Sequence, residues 1–336
     1  MKLKYNNVMK SVIPSKKMPH LVLLGAGASI ASFPNGDKNK KKLPLMSSLV
    51  EKLDLYNCIP TKFESLHTDF EKLYSTIAND ASLSSIRDII DKKVYEYFND
   101  MDIPDKPTIY DYLVLSLRKK DLIATFNWDP LLLKTFKRHS KILNLPNVAF
   151  LHGNVAVGVC LHCNIKGYMY NKICHRCYKP YDNMRLLYPV ENKNYSSDKV
   201  INDEWELLNH YFEISLYVTI FGYSAPDSDV DAKKLMLDAS MKNRSREFYE
   251  LEIIDIKPEE EIEETWSDFI HSHHYSVIDN FKESYLFHHP RRSTDAFFDA
   301  YLMNSPWDGN PFPEFNDIYE MHQWIEQMLQ EENKHI

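Results

Sequence analysis

Apolar residues arrive along this chain in two rhythms. Five short runs, HLVLL (20–24), DLIATFNWDP (121–130), NVAFLHGN (147–154), SLYVTIFGYS (215–224) and EFYELEIIDIKP (247–258), each hold an apolar stretch that leads into glycine or polar residues. Such runs read as strands buried on both faces of a sheet, with their chemistry gathered at one end. Elsewhere apolar residues recur at spacings of three and four, the period of a helix packed on one side. LMSSLVEKL, SIRDIIDKKVYEYF and TIYDYLVLSL within 45–118 do so, as do 203–212 and DIYEMHQWIEQML at 317–329. Strands alternating with helices predict an α/β fold around a mostly parallel sheet, whose polar strand ends mark the carboxyl edge where ligands bind. The lysine-rich stretch 33–44 reads as exposed loop. Beyond Pro258 the acidic run EEEIEE opens a tail patterned mainly as helix.

Composition narrows the class. The 336 residues are 44% hydrophobic and 26% charged, with only 8 glycines, which excludes a disordered or fibrous chain. The length suggests roughly two domains and a sizeable core. No apolar window of about 18 residues offers a membrane span, and a net charge of −8 argues against a whole-chain binder of nucleic acid. The basic start before LVLLGAGASIAS has the look of a signal peptide, but the apolar run is short and the glycines that follow suit a phosphate-binding turn. Four of the five cysteines fall in two C-x-x-C pairs, the pattern of a reduced metal site. The protein reads as cytoplasmic.

Gly25-Ala26-Gly27-Ala28-Ser29 follows the first strand directly. Small residues there let the backbone approach a diphosphate, and the N-terminus of the next helix offers N–H groups to it. Ser29 is placed to cap that helix or meet a phosphate. The loop departs from a dehydrogenase fingerprint, since Ile30 stands at the third glycine position and no acid ends a second strand about 20 residues on. A tight turn without a ligand is the alternative. At other strand ends stand Asn127, Asp129 and His152. A histidine can take a proton near neutral pH, and an amide can hold a hydroxyl or water. A core histidine and a capped turn are the plainer readings. Gly222, Tyr223, Ser224 and Asp227 could line a second stretch of a dinucleotide, and Asp255 is placed to accept a ribose hydroxyl.

Cys160-x-x-Cys163 and Cys174-x-x-Cys177 can close a tetrahedral thiolate site around one zinc ion, with no open position for catalysis. A dithiol redox pair needs only one such motif. His162 and His175 sit inside the knuckles and read as exposed; Cys58 reads as a core residue.

In this order, GAGAS (25–29), TFNWD (125–129), LHG (151–153), the cysteine pairs, FGYS (221–224) and IIDIKP (253–258) resemble the sirtuin (Sir2) superfamily over roughly residues 20–258. The resemblance implies a Rossmann-like NAD-binding catalytic domain at 20–258, with a helical module at about 45–118 and a zinc ribbon at about 156–182. An N-terminal arm (1–19) and a mainly helical extension (259–336) would flank it. It also implies cleavage of the nicotinamide–ribose bond of NAD+. Gly25, Ala26, Gly27 and Ser29 would then hold the diphosphate, and Asn127 the nicotinamide ribose or attacking water. Asp129 would hold the carboxamide, His152 would act as base, and Gly222, Ser224 and Asp255 would hold the adenosine side. The segment ASFPNGDKNKKKLP lacks the Asp-Phe-Arg of protein deacylases, and Phe126 replaces their glutamine. The pattern is closer to Sir2-like effectors of bacterial antiphage defence, which hydrolyse NAD+ and deplete the cell.

Two other functions compete: an NAD-dependent protein deacylase or ADP-ribosyltransferase, and a non-catalytic subunit that senses NAD or a related nucleotide. A freely active NAD+ hydrolase would harm its host, which implies control by homo-oligomerisation or by a separate sensor or activator protein encoded nearby. In the tail, Met321, Trp324, Ile325, Met328 and Leu329 form one core-facing stripe. His288-His289-Pro290-Arg291-Arg292 reads as a solvated turn, with phosphate as its alternative ligand, and the lysines from Lys38 to Lys42 as solvent-facing. His271, His273 and His274 are too loosely placed for a metal site.

Overall fold

The computed structural model describes residues 14–142, 144–188, 195, 198–226, 229–270, 273–306 and 308–332. Strand β1 (His20–Leu24) passes into helix α1 (Ala26–Ser32) with only Gly25 between them. Helices α2 (Leu49–Lys52), α3 (Phe70–Ala78), α4 (Ser84–Asn99) and α5 (Ile109–Ser116) follow. A reciprocal pair of bonds between Thr108 and Asp111 starts α5. Then come β2 (Leu122–Thr125), α6 (Leu131–Arg138) and β3 (Asn147–Phe150), and the short strands β4 (Val157–Cys160), β5 (Ile165–Tyr168) and β6 (Asp182–Asn183). Helix α7 (Lys199–Ile214) leads to β7 (Tyr217–Phe221), α8 (Val230–Ser240), β8 (Glu250–Ile254), α9 (Glu259–Trp266) and β9 (Tyr275–Ile278). The chain closes with α10 (Tyr285–His288), α11 (Ser293–Phe297) and α12 (Ile318–Glu332).

Six strands form one sheet in the order β3-β2-β1-β7-β8-β9, every pair parallel. Counting only these six, the order is 3-2-1-4-5-6, that of the doubly wound dinucleotide fold. The winding direction reverses between β1 and β7, whose residues pair from His20↔Tyr217 to Leu24↔Phe221. Chains leaving those two strands turn to opposite sides, so a crevice opens at their carboxyl ends. The helices from α2 to α5 stand before β2 as the expected insertion. A three-stranded antiparallel sheet, β5-β4-β6, carries the cysteines.

The tail, patterned mainly as helix, is not helical throughout: β9 adds a sixth strand through Leu251↔Tyr275 to Ile254↔Ile278. Four residues, each half-buried at the sheet edge, are too few to show a period. Nor is the 288–292 cluster a solvated turn or an anion site. Arg291 is buried, its Nε and Nη2 donate to Glu332 at 2.6 and 3.1 Å, and its Nη1 donates to the Leu117 carbonyl at 3.1 Å. The stripe on α12 is a core face, with Met321 and Ile325 fully buried. Lys38 pairs with Asp105 and Lys41 lies over the Tyr97 ring. His162 and His175 are exposed, as expected, while Cys58, expected in the core, is half-buried and packed against it. Asp227, His271 and most of the N-terminal arm lie outside the described residues. Among the described residues no helix is long and apolar enough to cross a membrane.

Candidate functional site

The crevice is closed at its base by two backbone turns in contact. The Gly25 and Gly27 N–H groups donate to the carbonyls of Phe221 and Gly222 at 3.0 and 2.9 Å. A Cβ on Gly25 would lie 2.4 Å from the Gly222 oxygen, and one on Gly222, where φ is +60°, would lie 2.3 Å from the Ala28 nitrogen. These glycines are required because the strand ends touch. The Gly25 and Gly27 N–H groups, expected to face a diphosphate, are committed to that contact, so these two residues form wall and offer no N–H to a ligand.

Above the glycines lies a buried polar network. Asn127 Nδ2 donates to the Gly25 carbonyl at 2.8 Å and to Ser29 Oγ at 2.9 Å. Ser29 Oγ in turn donates to Asp129 Oδ2 at 2.8 Å and lies 2.6 Å from the Tyr110 hydroxyl of α5. Asp129 Oδ1 accepts from the Leu131 N–H at 3.0 Å, and the Asn154 amide donates to the Asp129 carbonyl at 2.6 Å. Gly25 holds the cap position of α1, so Ser29 neither caps that helix nor turns outward. Burial pushes the Asp129 carboxyl up to about 6, against the opposing pull of the Ser29 and Leu131 hydrogen bonds. The same burial, reinforced by Asp129, drives the Tyr110 hydroxyl upward and keeps it a neutral donor.

His152 follows β3 and is nearly buried. Gly153, at φ +80°, turns the chain beneath it. The His152 and Phe126 rings meet edge to face at a centroid distance of 4.9 Å, and Phe126 stacks flat on Tyr223 at 4.0 Å. Asp229 Oδ1 lies 3.8 Å from His152 Nε2, and Asp229 Oδ2 accepts from the Tyr223 hydroxyl at 3.0 Å. At the far rim, Ser224 is exposed and the half-buried Asp255 accepts from the Lys257 N–H at 3.1 Å.

One cavity of about 860 Å³ joins these groups, within the range of small-molecule and cofactor sites. Asn127, His152, Gly25, Ala26, Gly27, Ser29, Asp129, Gly222, Ser224 and Asp255 all line it. Glu71, Asp229 and Asp279 line it too and were not anticipated from the sequence. Asp229 stands at the start of a helix, where an aspartate reads as a cap; Glu71 and Asp279 adjoin no motif.

The cysteines make a separate centre. The sulfurs of Cys160, Cys163, Cys174 and Cys177 lie within 4.8 Å of one another, with Cys160 and Cys177 3.4 Å apart. Tetrahedral zinc with bonds of about 2.3 Å sets its sulfurs about 3.8 Å apart. The donor set fits that ion, and none of the four cysteines lines the cavity.

No protein-family model matches the chain, and no curated protein sequence does. Among solved structures it is similar to Sir2Tm bound to a propionylated peptide, at 15% identity over 85% of this chain and 93% of that one, with a TM-score of 0.38. It is similar also to Sir2 in complex with an inhibitor, 2'-O-acetyl-ADP-ribose and a deacetylated p53 peptide, at 14% identity over 85% and 94%, with a TM-score of 0.39.

Proposed function

We propose that the protein is a Sir2-like NAD+ hydrolase that cleaves the nicotinamide–ribose bond to give nicotinamide and ADP-ribose. The observation that carries this reading is the meeting of Asn127 and His152 in one cavity at the reversal point of a doubly wound sheet. The dinucleotide would lie along the carboxyl ends of β1, β7 and β8. Its adenosine end would be toward Gly222, Ser224 and Asp255, its diphosphate over Ala26 and the glycine turn, and its nicotinamide toward Asp129.

The reaction asks for position more than for covalent help. The bond from ribose C1' to the nicotinamide nitrogen breaks, and its electron pair leaves with neutral nicotinamide. A water oxygen bonds to C1', and its proton passes to His152 and then to solvent. Asn127 has spent its donors inside the protein, which leaves its side-chain oxygen to accept from the water or a ribose hydroxyl. Phe126 and Tyr223 wall the reacting end with apolar surface, limiting the site to few waters. The biological role that fits is an antiphage defence effector depleting cytoplasmic NAD+, held in check by homo-oligomerisation or by an activator protein encoded nearby.

The test is incubation of purified protein with NAD+ at several protein concentrations, alone and with the products of neighbouring genes, with products followed by chromatography. Release of nicotinamide and ADP-ribose without any acyl peptide is expected, lowered by about 10²- to 10⁴-fold in His152→Ala and strongly in Asn127→Ala. Turnover only with an acyl-lysine peptide would make it a deacylase. NAD+ binding without turnover in any assembly would leave the sensor.

A further inference from the structure

Asp229 begins α8, where an aspartate ordinarily accepts from the first N–H groups of its own helix. Its carboxylate makes no such bond. It is turned inward, 4% exposed, into the cavity that His152 lines. One oxygen takes the Tyr223 hydroxyl at 3.0 Å and the other stands 3.8 Å from His152 Nε2. Tyr223 is itself held, its ring flat against Phe126 at 4.0 Å and 11°, while Phe126 meets the His152 ring at 74°. Tyrosine, carboxylate, imidazole and phenyl ring therefore form a closed circuit of contacts.

We infer that Asp229, oriented by Tyr223, is a positioning residue for His152: it holds the imidazole in place and stabilises the imidazolium formed when His152 takes a proton from the attacking water. The inference rests on the hydrolase reading for its chemistry, and on geometry alone for the coupling of the two side chains. A carboxylate this close favours the charged imidazole, the more so where burial weakens solvent screening. Among the described residues, the other titratable groups on this side are acidic or phenolic. Tyr195 lies parallel to the His152 ring at 6.1 Å, Glu71 lines the cavity from α3, and Asp231 stands in the first turn of α8. Lys257, at the β8 end of the cavity, is paired with Glu261.

The test is Asp229→Asn, which keeps the shape and removes the charge, beside Asp229→Glu, Tyr223→Phe and His152→Gln. Two readouts are taken on the full chain. The first is the His152 titration by NMR of histidine-labelled protein, its resonance assigned by its absence in His152→Gln. The His152 pKa is expected to fall by about one unit or more in Asp229→Asn, to fall less in Tyr223→Phe, and to be largely kept in Asp229→Glu. The second is the pH profile of nicotinamide release. kcat in Asp229→Asn should drop about tenfold or more with KM for NAD+ little changed, and the acid limb should move with the NMR pKa. An unchanged His152 titration in a folded Asp229→Asn protein overturns the inference. If wild-type protein releases no nicotinamide while the titration still shifts, the hydrolase reading fails and the coupling stands. A loss of melting temperature with no shift in either readout reduces Asp229 to a structural residue.

Discussion

Asn127 has two amide hydrogens, and the fold uses both. An amide free to donate and accept would hold a hydroxyl in either sense; this one presents its oxygen alone, because the Gly25 carbonyl can only accept and so fixes which end is nitrogen. Residues at strand ends were legible in this way from sequence: Asn127, Asp129 and His152 close apolar runs, and a sheet of this class gathers such ends at one edge. Tyr110 and Asp229 were not legible, since they reach the site from helices and carry no signal of their own. Buried charge is a second matter the sequence hides. Glu252 sits on β8 in a core position, accepting from the Tyr285 N–H at 2.8 Å, Thr219 Oγ1 at 3.0 Å and the Tyr217 hydroxyl. Burial lifts its carboxyl to about 7, and burial with Glu252 beside it lifts Glu250 to about 7. A carboxyl raised in the fold contributes stability that is full below its unfolded pKa and is lost as pH rises through the folded one. Stability is therefore expected to fall between about pH 4.5 and 7, by about 3 kcal/mol for a group shifted as far as Glu252. In Glu252→Gln, which keeps the shape without the charge, thermal melts at pH 5 and pH 8 should differ less than in wild type. An identical difference in both proteins would refute the assignment.

Among elements, the cysteine ribbon depends most on something outside the chain. The cluster around its cysteines is only Tyr181 with Cys160 and Cys174, Val157 and Val159 of β4 pack into the main core instead, and β6 is only two residues long. So small a core cannot offset the entropy of ordering its loops, and a metal that binds only the folded form must supply the difference. Metal analysis is expected to return about one zinc per chain. A strong chelator should release it, expose four thiols to titration and lower the melting temperature. Chelation that leaves the thiols protected would show that the ribbon stands without metal. The spacing of the two C-x-x-C pairs makes this centre legible in the sequence, because its ligands are local. Strand β9 is the opposite case. YSVI is short, lies on the sheet edge with every side chain half-exposed, and is recognisable only through its pairing with β8. Burial on both faces made the inner strands readable as continuous apolar runs; an edge strand lacks that mark.

At the scale of the molecule, the tail is wired into the sheet's helical layer instead of hanging from it. Arg291, itself in the left-handed region at φ +63°, is buried and bonds its guanidinium to protein groups. Its backbone N–H donates to the Ser116 carbonyl at 2.6 Å at the end of α5, and one side-chain nitrogen donates to Leu117. The other two nitrogens grip Glu332 at the end of α12. Helix α5 also delivers Tyr110 to the Asn127 network, so the clamp and the cavity are anchored on one element. A buried pair of this kind adds little net stability over an apolar isostere, but breaking it strands a charge. Glu332→Ala should therefore cost roughly 3–5 kcal/mol, far more than an exposed ion pair is worth. Joint replacement, Arg291→Met with Glu332→Leu, should recover most of that loss in chemical denaturation. If Glu332→Ala costs no more than about 1 kcal/mol, the guanidinium has another outlet and the tail is held by the apolar stripe of α12 alone. If it costs the full amount and the double replacement recovers it, the expense lies in the stranded charge, and α12 is fastened to the helix that carries Tyr110 to the polar network beside the cavity.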